Sequence, residues 1–214
     1  CYGSIGADGR VCVKCDSCAY CSECDNLELD AWHEHECSAF CDIPQPMRSG
    51  DTDYLRFVLR YLAIVQHGAP PNPAPSLGRA MGDRLELMAS LCTNRDCQAA
   101  EFVAWTEQFA GLFAQHVTFP DGVDTRHLSD LFLRCKSNAL GFPFTPSETI
   151  GWALDVRASA FNHSCAPNCY IAAGEHGALR AMCKTNVAPG DELTISYLDL
   201  VVERSRAERR EELF

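Results

Sequence analysis

The stretch FNHSCAPNC at residues 161–169 says most about the fold, and PGDELTISY at residues 189–197 is its companion. Taken alone, the first stretch could be a nucleophile loop in which Cys165 attacks a substrate and His163 acts as the base. Side chains so close in sequence rarely face each other usefully, so we do not favour this interpretation. The rest of the chain points to a different chemistry.

Both stretches lie in a region that predicts short strands rather than helices. After Gly141, proline, glycine and short β-like runs replace helical periodicity. The predicted strands cover residues 168–173, 178–184 and 192–197, with turns at 174–177 and 189–190. The last residues, from Glu203 onward, predict the start of a charged helix.

The preceding part of the chain is predicted to be helical. Apolar residues at helical spacing predict helices over residues 51–67, 96–116 and 125–136. The second helix carries a stripe that we expect to pack in the core, formed by Phe102, Trp105, Phe109, Leu112 and Phe113. Residues 69–78, APPNPAPSLG, cannot hold regular structure and predict a linker or loop. Helices followed by short strands make the α+β class the expected fold.

Composition excludes several classes of protein. Of 214 residues, 47% are hydrophobic and 22% are charged, as in ordinary globular proteins. No apolar run approaches the ~18–20 residues that span a bilayer, and no signal peptide is visible. The net charge of −11 opposes non-specific binding to nucleic acid, which needs many Lys and Arg side chains, and favours a basic protein or peptide as partner.

Cysteines are concentrated near the start of the chain. The chain has fourteen, and most crowd residues 1–41: Cys1, Cys12, Cys15, Cys18, Cys21, Cys24, Cys37 and Cys41. A disulfide-rich secreted domain is one interpretation. Cys-x2-Cys steps and a His-x3-Cys step are metal spacings, however, so a reduced, zinc-bound and intracellular segment is the better one.

Three residue pairs have the spacing of zinc ligands. Cys12 and Cys15 form one Cys-x2-Cys step, and Cys21 and Cys24 form another. His33-x3-Cys37 supplies a third pair from one face of a helical turn. Acidic residues in this region greatly outnumber Arg10 and Lys14, so the segment should repel phosphates. Protein docking is therefore expected rather than direct DNA binding.

The NHSCxPN and GDELTISY blocks resemble the SET domain of protein lysine methyltransferases, and the cysteine spacing, with Tyr20 before Cys21, resembles the MYND zinc finger. Together they resemble the SET-and-MYND family. The resemblance implies four segments: a MYND-type zinc finger over 1–41, a helical region over 42–134, the C-terminal part of a SET domain over 135–200, and the start of a C-terminal helix over 201–214.

The resemblance also implies the catalytic and cofactor-binding residues. Tyr197 would orient the reacting amine, since a phenol with a pKa near ~10 stays neutral and offers a hydrogen bond. Asn162 and His163 would contact S-adenosylmethionine where the two blocks cross, and Asn138 would belong to a cofactor strip. The alternatives are that Asn162 and His163 only satisfy buried backbone groups and that Tyr197 is a core residue at a strand end.

Zinc ligands follow from the same resemblance. One zinc would be bound by Cys12, Cys15, His33 and Cys37, and a second by Cys21, Cys24 and Cys1, whose own partner would precede the chain. Cys18 could replace that missing ligand and Cys41 is a weaker candidate, or both are spare thiols. Cys165 would bind a third zinc only together with the cysteines of a post-SET segment.

Two features differ from the family pattern. The Gly-x-Gly loop that cradles S-adenosylmethionine would precede the finger, and the post-SET cysteines would follow Phe214, so we expect a processed chain or a fragment. The expected function is lysine methylation of a basic protein or histone peptide, with proline-containing peptides at the finger, in the nucleus or cytoplasm. The alternative is an inactive zinc-dependent interaction module that carries a SET remnant; a zinc-dependent DNA-binding regulator fits least.

Overall fold

The structure, a computed structural model, describes residues 9–20, 29–49, 52–68, 81–145, 148–173, 179–198 and 204–213. Contacts divide the chain into two compact units, Cys1–Ser137 and Asn138–Phe214. Helices dominate the first unit and short strands the second, which confirms the mixed α and β character. The four predicted segment limits stay a prediction, and the predicted loop 69–78 and turn 174–177 lie outside the described residues.

The first described residues of this unit form a small hairpin, and a long helix is described after residue 28. Strands β1 (Arg10–Val11) and β2 (Ala19–Tyr20) pair antiparallel. Helix α1 (Leu29–Asp42) contains the helical turn predicted from the His-x3-Cys step and extends beyond it on both sides. A short 3₁₀ turn, Gln45–Arg48, follows it.

Helix α2 (Asp53–His67) agrees closely with the predicted helix over 51–67. Its apolar residues recur at helical spacing, so Leu55, Val58, Leu59 and Leu62 are buried on one face. The helix ends at Gly68, whose φ of +85° lies in the region that glycine adopts without steric penalty. The backbone N–H of this glycine donates to the carbonyl oxygen of Ile64.

Three further helices follow among the described residues: α3 (Met81–Ser90), α4 (Ala100–Phe113) and α5 (Thr125–Asn138), whose last residue belongs to the second unit. α5 confirms the predicted helix over 125–136, whereas α3 was not predicted. The predicted start of the helix over 96–116 was wrong. A separate 3₁₀ turn, Arg95–Cys97, precedes α4, because Gln98 and Ala99 between them have non-helical ψ angles of 151° and 132°.

Aromatic packing around Phe132 forms part of the core. Phe132 is fully buried, and the rings of Tyr54, Trp105 and Phe109 meet it edge-on at centroid distances of 5.6, 5.5 and 5.1 Å. The expectation that the whole α4 stripe is core was wrong. Trp105 is 39% exposed and Leu112 is 49% exposed, because only part of this helix faces its neighbours.

Replacing Phe132 with alanine is expected to lower the free energy of unfolding by about 3–5 kcal/mol, the range typical of a buried phenylalanine. The replacement opens a cavity where three aromatic edges converge. Chemical denaturation followed by circular dichroism measures the change. Leu112→Ala is the matched control on exposed helix surface, and an equal loss for both variants would contradict the assigned core.

The second unit is built from strand pairs. β3 (Leu140–Thr145) and β4 (Glu148–Ala153) form an antiparallel pair, and so do β6 (Cys169–Ala173) and β7 (Leu179–Cys183). β5 (Asn162–His163) and β8 (Thr194–Ile195) pair in parallel. Helix α6 (Arg206–Leu213) follows. No helix in the described part of the chain is both long and apolar enough to cross a membrane.

Strand predictions in this unit were partly correct. β6 and β7 confirm the strands predicted over 168–173 and 178–184, but only Thr194–Ile195 of the strand predicted over 192–197 is extended and paired. The β3–β4 pair was missed because Gly141 and Pro143 indicate turns. Proline has no N–H to donate, and the register is irregular on both sides of Pro143.

Candidate functional site

The two sequence blocks meet as neighbouring strands. In the parallel pair, Asn162 is opposite Thr194 and His163 is opposite Ile195. The backbone N–H of Ser164 extends the pairing by donating to the carbonyl oxygen of Ile195 at 2.9 Å. The two blocks, about 30 residues apart in sequence, are thereby held side by side, as the resemblance implied.

Tyr197 lies just beyond β8 and contacts the first block twice. Its hydroxyl donates to the carbonyl oxygen of Phe161 at 2.5 Å. Its backbone N–H donates to Nδ1 of His163 at 3.0 Å. The side chain is 51% exposed, which does not fit a core tyrosine at a strand end. Partial burial raises the pKa of its phenol, so the hydroxyl is neutral at pH 7.

His163 is held in one tautomer by this contact. A neutral imidazole has one protonated nitrogen, and Nδ1 accepts the N–H of Tyr197, so Nε2 carries the proton. Nε2 lies 3.3 Å from Sγ of Cys165. The expectation that these two side chains do not face each other was therefore wrong. A nucleophile interpretation is still not favoured, because a protonated Nε2 donates toward the sulfur and cannot take the thiol proton.

Asn162 and Asn138 occupy different settings. Asn162 is exposed, and its amide donates to the Glu192 carboxylate at 2.6 Å rather than to a buried backbone group. Asn138 is the last residue of α5, and its carbonyl oxygen accepts a hydrogen bond from the Ser159 hydroxyl at 2.9 Å. A role for either residue in binding a cofactor stays a prediction.

Asn168 joins the two blocks, a role that our sequence analysis missed. Its amide nitrogen donates to the carbonyl oxygen of Glu192 at 2.8 Å, and its amide oxygen accepts the backbone N–H of Thr194 at 2.9 Å. The Asn168 side chain thus hydrogen-bonds to backbone groups of two residues in the second block, Glu192 and Thr194. The signal was present as the last Asn of NHSCAPN, a polar residue at the start of a predicted strand.

Replacing Asn168 with alanine is expected to lower the stability of the second unit by about 1–3 kcal/mol, because backbone groups that it pairs would lose their partners. Hydrogen exchange of the Thr194 amide is the direct measurement, and it should accelerate. Asn186, which is exposed, provides the control Asn186→Ala. Unchanged exchange at Thr194 in Asn168→Ala would contradict the bridging role.

Cys165 is exposed, and two other thiols of this unit lie close to each other. Sγ of Cys169 is 3.9 Å from Sγ of Cys183, across the β6–β7 pair. Within the described ranges, Cys165 belongs to no group of three or more potential metal ligands. Its predicted zinc depends on post-SET cysteines and stays a prediction.

The first unit contains a compact group of potential metal ligands, which we call the Cys/His cluster: Cys12, Cys15, His33 and Cys37. The four ligand atoms all lie within 4.8 Å of one another. Sγ of Cys12 is 3.8 Å from Sγ of Cys37, and Sγ of Cys15 is 3.4 Å from Nε2 of His33. The structure thus brings together all four residues of the first predicted ligand set.

Local backbone geometry positions these ligands. Cys12 and Cys15 lie in a tight turn that ends at Asp16, which has a φ of +48° and donates its N–H to the Cys12 carbonyl oxygen. His33 and Cys37 are one turn apart on α1 and therefore share a face. Three of the four ligands are buried, namely Cys15, His33 and Cys37.

The donor set fits zinc. One nitrogen and three sulfur ligands are typical of structural zinc, and Zn–S bonds of about 2.3 Å in a tetrahedron separate two sulfurs by about 3.8 Å. The pKa of the Cys12 thiol is lowered to about 6, chiefly by a hydrogen bond from the backbone N–H of Cys15. Desolvation raises this pKa but does not outweigh the hydrogen bonds. The thiolate is the form that binds metal.

The other predicted ligands are only partly described. Cys18 is half-buried near His33, and Sγ of Cys41 is 3.6 Å from the carbonyl oxygen of Lys14. Cys1, Cys21 and Cys24 lie outside the described residues. A second zinc site therefore stays a prediction.

Residues 17–198 match the SET domain family, and the paired blocks lie within that match. Because it spans most of the chain, this chain belongs to the SET domain family.

Named relatives show which members of the SET domain family this chain is similar to. The chain is 26% identical over 228 residues to "N-lysine methyltransferase SMYD2-B" of Danio rerio, covering 99% of this chain and 50% of the relative. It is 26% identical over 213 residues to "Histone-lysine N-methyltransferase SMYD3" of Homo sapiens, covering 94% and 45%. It is also 31% identical over 75 residues to "SET domain and MYND-type zinc finger protein 6" of Schizosaccharomyces pombe, covering 35% and 15%.

The names of these relatives confirm the resemblance that the sequence predicted. The chain spans about half the length of the first two.

Proposed function

We propose that this chain is part of a protein lysine methyltransferase that uses S-adenosylmethionine and carries a zinc-binding segment for protein docking. The observation that carries the proposal is the contact between His163 and Tyr197 across two strands of the matched SET region. Relatives named as lysine methyltransferases support the reaction class.

Tyr197 is the proposed residue at the reacting amine. When bound, S-adenosylmethionine supplies an electrophilic methyl group for in-line transfer to a neutral lysine amine. The Tyr197 hydroxyl donates its proton to the Phe161 carbonyl, which leaves its oxygen lone pairs to accept an amine N–H. Because the phenol stays neutral, it orients the amine without attracting the protonated, unreactive form.

His163 is proposed as a neighbour of the cofactor that also positions Tyr197. Its Nδ1 holds the Tyr197 backbone, and its other nitrogen offers a proton to a ligand or to Cys165. Asn162 is exposed beside it and offers amide hydrogen-bonding groups. These polar groups suit a cofactor that carries an amino acid moiety.

The Cys/His cluster is proposed to bind structural zinc and to shape a docking surface. Val13, between Cys12 and Cys15, is 99% exposed and offers apolar contact to a proline-containing peptide. The net charge of −11 suits a basic lysine-containing protein or a histone peptide as substrate. For such substrates, the proposed location of the protein is the nucleus, the cytoplasm or both.

Binding of S-adenosylmethionine to the zinc-loaded chain tests the proposal. Isothermal titration should give saturable binding that S-adenosylhomocysteine competes away, and Asn162→Ala should weaken it. Label from methyl-tritiated cofactor should then appear on lysine-rich histone peptides. Zinc binding without cofactor binding would reject the methyltransferase for this chain and favour an interaction module.

A further inference from the structure

Glu36 is a buried carboxylate that contacts the Cys/His cluster from behind. It lies on α1, one residue before Cys37, and is only 6% exposed. Its Oε1 is 2.9 Å from Nδ1 of His33. The other ring nitrogen of His33, Nε2, faces Sγ of Cys15. The His33 imidazole therefore lies between the Glu36 carboxylate and the Cys15 sulfur of the cluster.

Arg60 holds this carboxylate from the next helix. On α2, its Nε donates to Oε2 of Glu36 and its Nη2 to Oε1, both at 2.6 Å. This two-point contact fixes the plane of the carboxylate. A guanidinium only donates hydrogen bonds, so both carboxylate oxygens of Glu36 are acceptors in this contact.

A second arginine of α2 contacts the ligand-bearing loop. Arg56, one turn before Arg60, donates from Nη1 to the carbonyl oxygen and the hydroxyl of Ser17, at 2.9 and 2.6 Å. Ser17 follows the turn that carries Cys15. Helix α2 lies outside the predicted finger 1–41. Its arginines nevertheless contact both segments that carry the cluster, the Cys12–Cys15 turn and helix α1.

We propose that Glu36 and Arg60 are positioning residues of the Cys/His cluster: Glu36 holds His33 with Nε2 toward the metal position, and Arg60 holds Glu36. This inference rests on the proposed zinc site. In a neutral imidazole, a carboxylate that accepts Nδ1–H places the lone pair on Nε2, which is the tautomer that a metal at Nε2 needs. Removing such a partner typically weakens metal binding about 10–100-fold.

Arg60 also balances negative charge close to the Cys/His cluster. Three thiolates and one imidazole around a divalent zinc carry a net charge of about −1. Glu36 adds another buried negative charge close by. Two buried negative charges, the zinc site and the Glu36 carboxylate, would repel each other. The positive guanidinium of Arg60 offsets one of these charges.

Zinc affinity of the full chain tests the proposal. The variants are Glu36→Met, which removes charge and acceptor, Glu36→Gln, which keeps an acceptor, and Arg60→Met. Glu34→Gln is the control, since Glu34 is exposed on the same helix. Competition with a chromophoric chelator should give a 10–100-fold loss of zinc affinity for Glu36→Met, a smaller loss for Glu36→Gln, and none for the control.

Two readouts separate positioning from general stability. Absorption of the cobalt-substituted protein should change per bound ion in Glu36→Met, because an unheld imidazole alters the ligand field. Arg60→Met should weaken zinc binding in the wild-type background but much less when Glu36 is already methionine, because Arg60 acts through Glu36.

Different failures have different meanings. Wild-type protein that binds no zinc would overturn the proposed site and this inference with it. Wild-type binding with unchanged affinity and unchanged cobalt spectrum in Glu36→Met would overturn this inference alone. If Glu36→Met does not fold, Glu36→Gln decides: an unchanged affinity in that variant and in Arg60→Met overturns the proposal.

Discussion

Replacing Cys37 with serine is expected to abolish tight zinc binding and to unfold the structure around the Cys/His cluster. Cys37 is 1% exposed and belongs both to the cluster and to the core of the first unit. Structural zinc in small modules has apparent binding free energies of about 10–16 kcal/mol, and this energy is also folding energy. Losing one thiolate removes a large part of it.

The zinc content of purified protein, measured by atomic emission, checks this prediction together with helix content by circular dichroism. Cys92→Ser is the matched control, because Cys92 is an exposed cysteine outside the cluster. Addition of a strong chelator to wild-type protein should reproduce the effect of Cys37→Ser. Full zinc content and normal helix content in Cys37→Ser would contradict the proposed ligand set.

Replacing Tyr197 with phenylalanine is expected to lower the rate of methyl transfer about 10²–10³-fold, the usual effect of removing one well-placed hydrogen-bonding group from an active site. The hydroxyl is the proposed partner of the lysine amine, and it also fixes the ring through Phe161. Binding of S-adenosylmethionine should change little, because the backbone contact to His163 does not involve the hydroxyl.

Single-turnover transfer at saturating cofactor measures this effect without interference from product release. Tyr170→Phe is the matched control, since Tyr170 is a 46% exposed tyrosine on β6 of the same unit. Retained wild-type rate in Tyr197→Phe, on a peptide that the wild-type protein methylates, would reject the catalytic role.

Local spacing explains why part of the site was predictable. Cys12 and Cys15 are joined by a short turn, and His33 and Cys37 by one turn of α1, so sequence distance fixes their geometry. The NHSCxPN and GDELTISY blocks were recognisable because each is nearly continuous. The strands between the two blocks, β6 and β7, have the short apolar runs that predict pairing.

Contacts between distant side chains explain what was not predicted. Arg60 is 24 residues from Glu36, and nothing in its helical pattern distinguishes it from a solvent-facing arginine. The contact between His163 and Cys165 depends on a bend after β5 rather than on their spacing. In the β3–β4 pair, Pro143 indicates a turn locally, but tertiary pairing around the proline prevails.

The parallel pairing of β5 with β8 also has a consequence for folding kinetics. Only two residues pair on each strand, and the chain between them must first return through the β6–β7 hairpin. Closing a loop of that length loses entropy before any contact of the parallel pair compensates for it. The contacts that orient His163 and Tyr197 should therefore form after the hairpin and open first under mild denaturant. Folding rate and catalytic competence would then depend on the same short ladder.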